Sequence, residues 1–61
     1  MVTIRAQKRV AETDLVPCAL DHPDAVRFEV YQGSRLLSIK YTRSDVKQFL
    51  ATNGLDTEDK L

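Results

Sequence analysis

Residues 26–41, Val-Arg-Phe-Glu-Val-Tyr-Gln-Gly-Ser-Arg-Leu-Leu-Ser-Ile-Lys-Tyr, alternate apolar and polar side chains on both sides of Gly33-Ser34. A period of two is that of a half-buried strand, and Gly-Ser between two such runs is a two-residue hairpin loop. With Gln32 opposite Arg35, the register sets Val26 against Tyr41, Phe28 against Ile39 and Val30 against Leu37 on one wholly apolar face. The other face then pairs Arg27 with Lys40, Glu29 with Ser38 and Tyr31 with Leu36. A slip of one residue would oppose apolar to polar side chains, so turn chemistry and hydrophobic pattern specify the same register.

Val2, Ile4 and Ala6 alternate with Thr3, Arg5 and Gln7, which predicts a strand over Val2–Gln7. A helix competes for this stretch, because Arg5 to Glu12 are mostly good helix formers and Ile4, Ala6 and Val10 share a broad face. Leu15–Leu20 is short and apolar, and Pro17, lacking an amide donor, restricts it to an edge strand or an extended arm. Asp21-His22-Pro23-Asp24 has loop composition.

Thr42-Arg43-Ser44-Asp45 starts a helix, with Ser44 as the expected N-cap, and Val46, Phe49 and Leu50 form its apolar face. Asn53-Gly54 ends it, Leu55 folds back onto its last turn, and the residues from Asp56 onward read as a frayed acidic tail. The expected fold is α+β: a small antiparallel sheet, made of the central hairpin 26–41, an N-terminal strand and a short edge strand, packed against one C-terminal helix. One domain is expected over 1–55, with an acidic tail over 56–61. The expected core is Val2, Ile4, Val26, Phe28, Val30, Leu37, Ile39, Tyr41, Val46, Phe49, Leu50 and Leu55, with Cys18 as a buried filler.

Length changes this picture in one respect. A chain of 61 residues hides only ~60% of its unfolded surface on folding. Cys18 is the single cysteine, so neither an intrachain disulfide nor a cysteine-based metal framework can compensate for a small core. Self-association, as a dimer, or a protein partner is the expected alternative. No apolar run approaches the ~18 residues of a membrane span, and the first residues lack the pattern of a secretory signal. A soluble, cytoplasmic protein with no membrane partner is therefore expected.

Nine basic and nine acidic residues give a formal net charge of zero, and the pI is about 6.5. The charges are segregated, however: Arg5, Lys8 and Arg9 open the chain with no acid, and Asp56, Glu58 and Asp59 close it. The neutral balance argues against nonspecific nucleic-acid binding as the main activity, and leaves a local basic surface open.

Candidate chemistry is sparse. Cys18 and His22 are the only nucleophile–base pair, but Pro17 and Pro23 oppose the helix that would bring them together. Asp21, His22 and Asp24 have ligand types without a spacing that fixes a metal. No glycine-rich phosphate loop exists, the two glycines being accounted for by a turn and a cap. A non-enzyme without cofactor or metal is expected. More informative is the outer side of the sheet, where alternation gathers Arg5, Arg9, Arg27, Tyr31, Leu36 and Lys40 as candidate partner-binding residues.

Arg9-Val10-Ala11-Glu12-Thr13 resembles the Arg-Val-Gly-Glu-Thr stretch of the CsrA-type carbon storage regulators, small dimeric RNA-binding proteins. The likeness ends there: Ala11 stands in place of the glycine, and the Asn-Ala-Pro turn is missing. The hairpin and helix over 26–50 are similar in plan to the small head-to-tail joining protein of lambdoid phages, with Pro17 and Pro23 interrupting the region of that fold's first helix. No residue is carried over from either. The leading expectation is a small regulator, inhibitor or adaptor that binds a protein partner and self-associates, and the alternative is a nucleic-acid-binding regulator using the basic outer face.

Overall fold

A computed structural model describes the chain from Met1 to Leu61. Strands β1 (Thr3–Arg9), β2 (Leu15–Cys18), β3 (Ala25–Gln32) and β4 (Arg35–Lys40) precede one helix, α1 (Arg43–Thr52). They form an antiparallel sheet in the order β2-β1-β3-β4, and α1 packs against β3 and β4. The fold is α+β, as the alternation predicted. No helix is long and apolar enough to cross a membrane.

The first segment is a strand and not a helix. Val2, Ile4 and Ala6 are all nearly fully buried, and β1 lies between β2 and β3, so burial on one face and pairing on both sides outweigh helix propensity. The helix formers after Arg9 make only a turn, with Val10 N–H donating to the Asp14 carbonyl and Asp14 N–H to that of Ala11. β2 is the edge strand the prolyl residue allows, with Pro17 opposite Gln7.

The hairpin turns at Gly33, whose φ of +62° lies in the left-handed region, and the first pairs are Gln32–Arg35 and Tyr31–Leu36. The register then shifts. Val30 pairs with Ser38, Glu29 with Ile39 and Phe28 with Lys40, leaving Leu37 as an extra, bulged residue. The expected pairs Val30–Leu37, Phe28–Ile39 and Arg27–Lys40 are therefore not formed. Beyond the bulge Lys40 takes the helix side of the sheet, its ammonium 5.3 Å from the centre of the Phe49 ring, and Ile39 takes the opposite side.

The shift is tolerated because β4 is an edge. Its residues Leu37–Lys40 are only half-buried, which suits a small serine and a lysine whose ammonium lies over the Phe49 ring. A second shift, between Gln7 and Lys8, leaves Val26 unpaired and 38% exposed. Tyr41, expected in the core, is past the end of β4 and exposed.

The core consists of Val2, Ile4, Ala6, Phe28, Val30, Val46 and Leu50, flanked by Cys18, Leu20, Ala25, Leu37, Phe49, Leu55 and Leu61. Helix α1 is capped by Thr42, not Ser44: the Thr42 hydroxyl accepts from Asp45 N–H at 3.1 Å. Arg43 sets this start. Its guanidinium donates to the Leu20 carbonyl at 2.8 and 3.1 Å and to the His22 carbonyl at 2.7 Å, so the helix begins where the arginine is anchored. At the other end Gly54 has φ +61°, Leu55 N–H donates to Leu50 and Gly54 N–H to Ala51, which is a Schellman ending with Leu55 against the core.

The segment after Leu55 is not frayed. Val2 N–H donates to the Asp56 carbonyl at 2.7 Å, Val2 and Thr57 form a parallel bridge, and the Asp59 carboxylate accepts from Ile4 N–H at 2.8 Å. β2 pairs with β1 only from Ala6 onward. The amides of Val2 and Ile4, next to two buried side chains, need acceptors on that flank, and residues 56–59 supply them.

Candidate functional site

With its single helix on one side, the sheet has no layer on the other. Strand alternation directs Thr3, Arg5, Gln7 and Arg9 of β1, Arg27, Glu29 and Tyr31 of β3, and Leu36 and Ile39 of β4 to this open side. Arg5 lies over the Tyr31 ring, 4.9 Å from its centre. Leu36, the cross-strand partner of Tyr31, is 42% exposed. This is a cation–aromatic–aliphatic cluster on one half of the surface.

The centre is polar and tightly connected. Glu29 accepts from Gln7 Nε2 at 3.1 Å and from Arg27 Nη2 at 3.3 Å, and its side chain is only 12% exposed. Gln7 Oε1 and Arg27 Nε are shielded from solvent with no hydrogen-bond partner. Glu29 thus compensates Arg27, which has no basic neighbour across the strand because Lys40 is on the other side.

Of the residues expected to form the site, Arg5, Arg27, Tyr31 and Leu36 come together on the open side. Arg9 shares it, at the far end of β1, with its guanidinium donating to the Glu12 carbonyl at 2.6 Å. Lys40 does not belong to it; the bulge at Leu37 turns it to the helix side. Ile39 is the member that the unbulged register hid. Arg43, a further basic residue close behind β4, is bound to loop carbonyls and stacks over Phe28 at 5.3 Å.

The edges of the sheet are closed to strand addition. β2 is short and carries Pro17. The exposed flank of β1 is covered by residues 56–59. β4 carries a bulge and an inward-pointing lysine, two features that disfavour pairing with another chain.

The other chemical candidates stay apart. Cys18 packs against the core opposite Ala6, while His22 Nδ1 accepts from Asp24 N–H at 3.0 Å. No group of three or more His, Cys, Asp or Glu side chains is gathered in a metal-binding arrangement. One shallow, open depression of about 250 Å³ lies on the helix side, lined by Lys40, Asp45, Gln48, Phe49, Thr52 and Asn53. Phe49 is its one apolar wall. The chain matches no protein-family model, no curated protein and no solved structure.

Proposed function

We propose that the chain is a non-catalytic interaction module, a small regulator, inhibitor or adaptor that binds a protein partner through the open side of its sheet and self-associates. The observation that carries this reading is the uncovered Arg5–Tyr31 stack beside Leu36 and Ile39. Tyrosine and arginine next to aliphatic side chains are the usual anchors of protein interfaces. The molecule is a slab of 35 × 22 × 16 Å, so its broad side, on the order of 800 Å², matches what one partner contributes to a standard interface. A small core gains from covering that side. We propose that it acts in the cytoplasm, a reading that the lone free thiol of Cys18 supports.

A nucleic-acid-binding role for the same side draws less support. It requires cations free to meet phosphates, and here Arg27 is paired with Glu29, Lys40 faces the helix side and Arg43 holds loop carbonyls.

The test is paired affinity capture with wild type and Leu36→Asp, followed by reconstitution of the complex from purified components. A protein that binds wild type stoichiometrically and loses at least about tenfold in affinity with Leu36→Asp supports the reading. Oligonucleotide binding that persists at physiological salt, with protein binding indifferent to Leu36→Asp, would overturn it.

A further inference from the structure

We infer that the open side receives a second copy of this chain, docked face to face about a two-fold axis that runs along the strands between β1 and β3. This rests on the open side being the binding surface. Such an axis places β1 of one copy over β3 of the other, so each β1 residue lands on the residue it already pairs with in register. Those register partners are Arg5 with Glu29, Gln7 with Arg27 and Thr3 with Tyr31. Arg5 of each copy meets Glu29 of the other, twice per dimer.

Within one chain these two side chains do not bond: Arg5 stacks on Tyr31, and Glu29 takes Gln7 and Arg27. Arg5 therefore has no acidic partner of its own, and a copy of the same surface supplies one at the matching position.

Neighbouring axes fail on charge. An axis between β3 and β4 sets Glu29 over Ile39. One between β1 and β2 sets Arg9 over Leu15 and Gln7 over Pro17. Each buries a charge against an aliphatic surface. An axis across the strands lays each strand on itself, with Arg5 over Arg5 or Gln7 and no acid above it. The axis between β1 and β3 also keeps the two sheets aligned, the usual geometry of sandwiches, and with the edges closed a face is the surface left for association.

The test is sedimentation velocity on the full chain over a concentration series to about 1 mM, for wild type, Arg5→Glu, Glu29→Arg and an equimolar mixture of the two variants. Wild type should dimerise. Each variant alone, opposing like charges twice, should weaken dimerisation by more than about tenfold. The mixture should restore it as a heterodimer, because the carboxylate introduced in one variant then faces the guanidinium introduced in the other, and the native Glu29 of the first faces the native Arg5 of the second. Matching amide NMR dispersion shows that each variant is folded. Wild type that stays monomeric overturns this inference and the self-association in the proposed function, and leaves the open side to an unrelated protein. A wild-type dimer indifferent to both reversals overturns this face-to-face arrangement, while binding of another protein to the open side is decided separately by Leu36→Asp. Folded, monomeric variants whose mixture does not dimerise overturn the axis.

Discussion

The carboxylate of Asp59 accepts the backbone N–H of Ile4 at 2.8 Å, across 55 residues of sequence. It also accepts from the Thr57 hydroxyl, which in turn accepts from Asp59 N–H. The closing acidic segment is thereby folded into a small turn that presents one oxygen to the edge of β1. An acid that would read as surface charge serves as the strand partner that β2 is too short to provide.

Asp59→Ala should lower stability by about 1–2 kcal/mol, because a hydrogen bond from a half-buried amide to a charged acceptor is lost. Asp59→Asn keeps an acceptor and should cost less than half as much. Urea unfolding followed by circular dichroism measures both midpoints. Equal midpoints for wild type and Asp59→Ala would remove the segment from the folded unit.

Arg43 is the second long-range fastening. Its two nitrogens reach the Leu20 and His22 carbonyls in a planar fork, which lysine cannot reproduce. Arg43→Lys should therefore cost about 1–2 kcal/mol despite keeping the charge, and hydrogen exchange at Ala25 N–H, bonded to the His22 carbonyl, should accelerate. Stability equal to wild type in Arg43→Lys would mean that only the charge matters.

How far the sequence discloses this molecule depends on what fixes each residue. Ile4, Phe28 and Val30 are legible because each belongs to a strand whose period of two survives into the structure with one face buried, and Val2, just before β1, keeps the same phase. Leu36-Leu37 is not, since consecutive leucines carry no phase, and the bulge at Leu37 reverses Ile39 and Lys40. Arg5, Arg27, Tyr31 and Leu36 are readable as one surface because no bulge separates them from the turn or from the β1 alternation that defines it. Lys40 is misplaced by the same alternation for the converse reason. Arg43 and Asp59 leave no local signal, as their partners are backbone groups that any residue would offer.

The register carries its own prediction. Were Ile39 opposite Phe28, truncating it would open the core; opposite Glu29 it lies on the open side. Ile39→Ala should cost less than about 1 kcal/mol in the monomer, whereas Val30→Ala, at a fully buried position, should cost about 2 kcal/mol. Similar losses for the two variants, measured by urea unfolding at a concentration where wild type is monomeric, would restore the unbulged register.

The charge distribution also fixes what the protein should do with nucleic acid. On the open side Arg27 is neutralised by Glu29, leaving Arg5 and Arg9 as the cations there without a carboxylate partner. Two phosphate contacts on a duplex give a slope of log affinity against log salt of only about −2. Fluorescence anisotropy against randomised single-stranded and duplex oligonucleotides should accordingly show at most weak binding at low salt, lost at physiological salt. Had Lys40 and Arg43 joined the surface, the slope would approach that of a dedicated binder; their other engagements are why it should not. A slope of about −4 or steeper, with binding retained at physiological salt, would require those side chains to leave their present contacts and would move the site away from protein recognition.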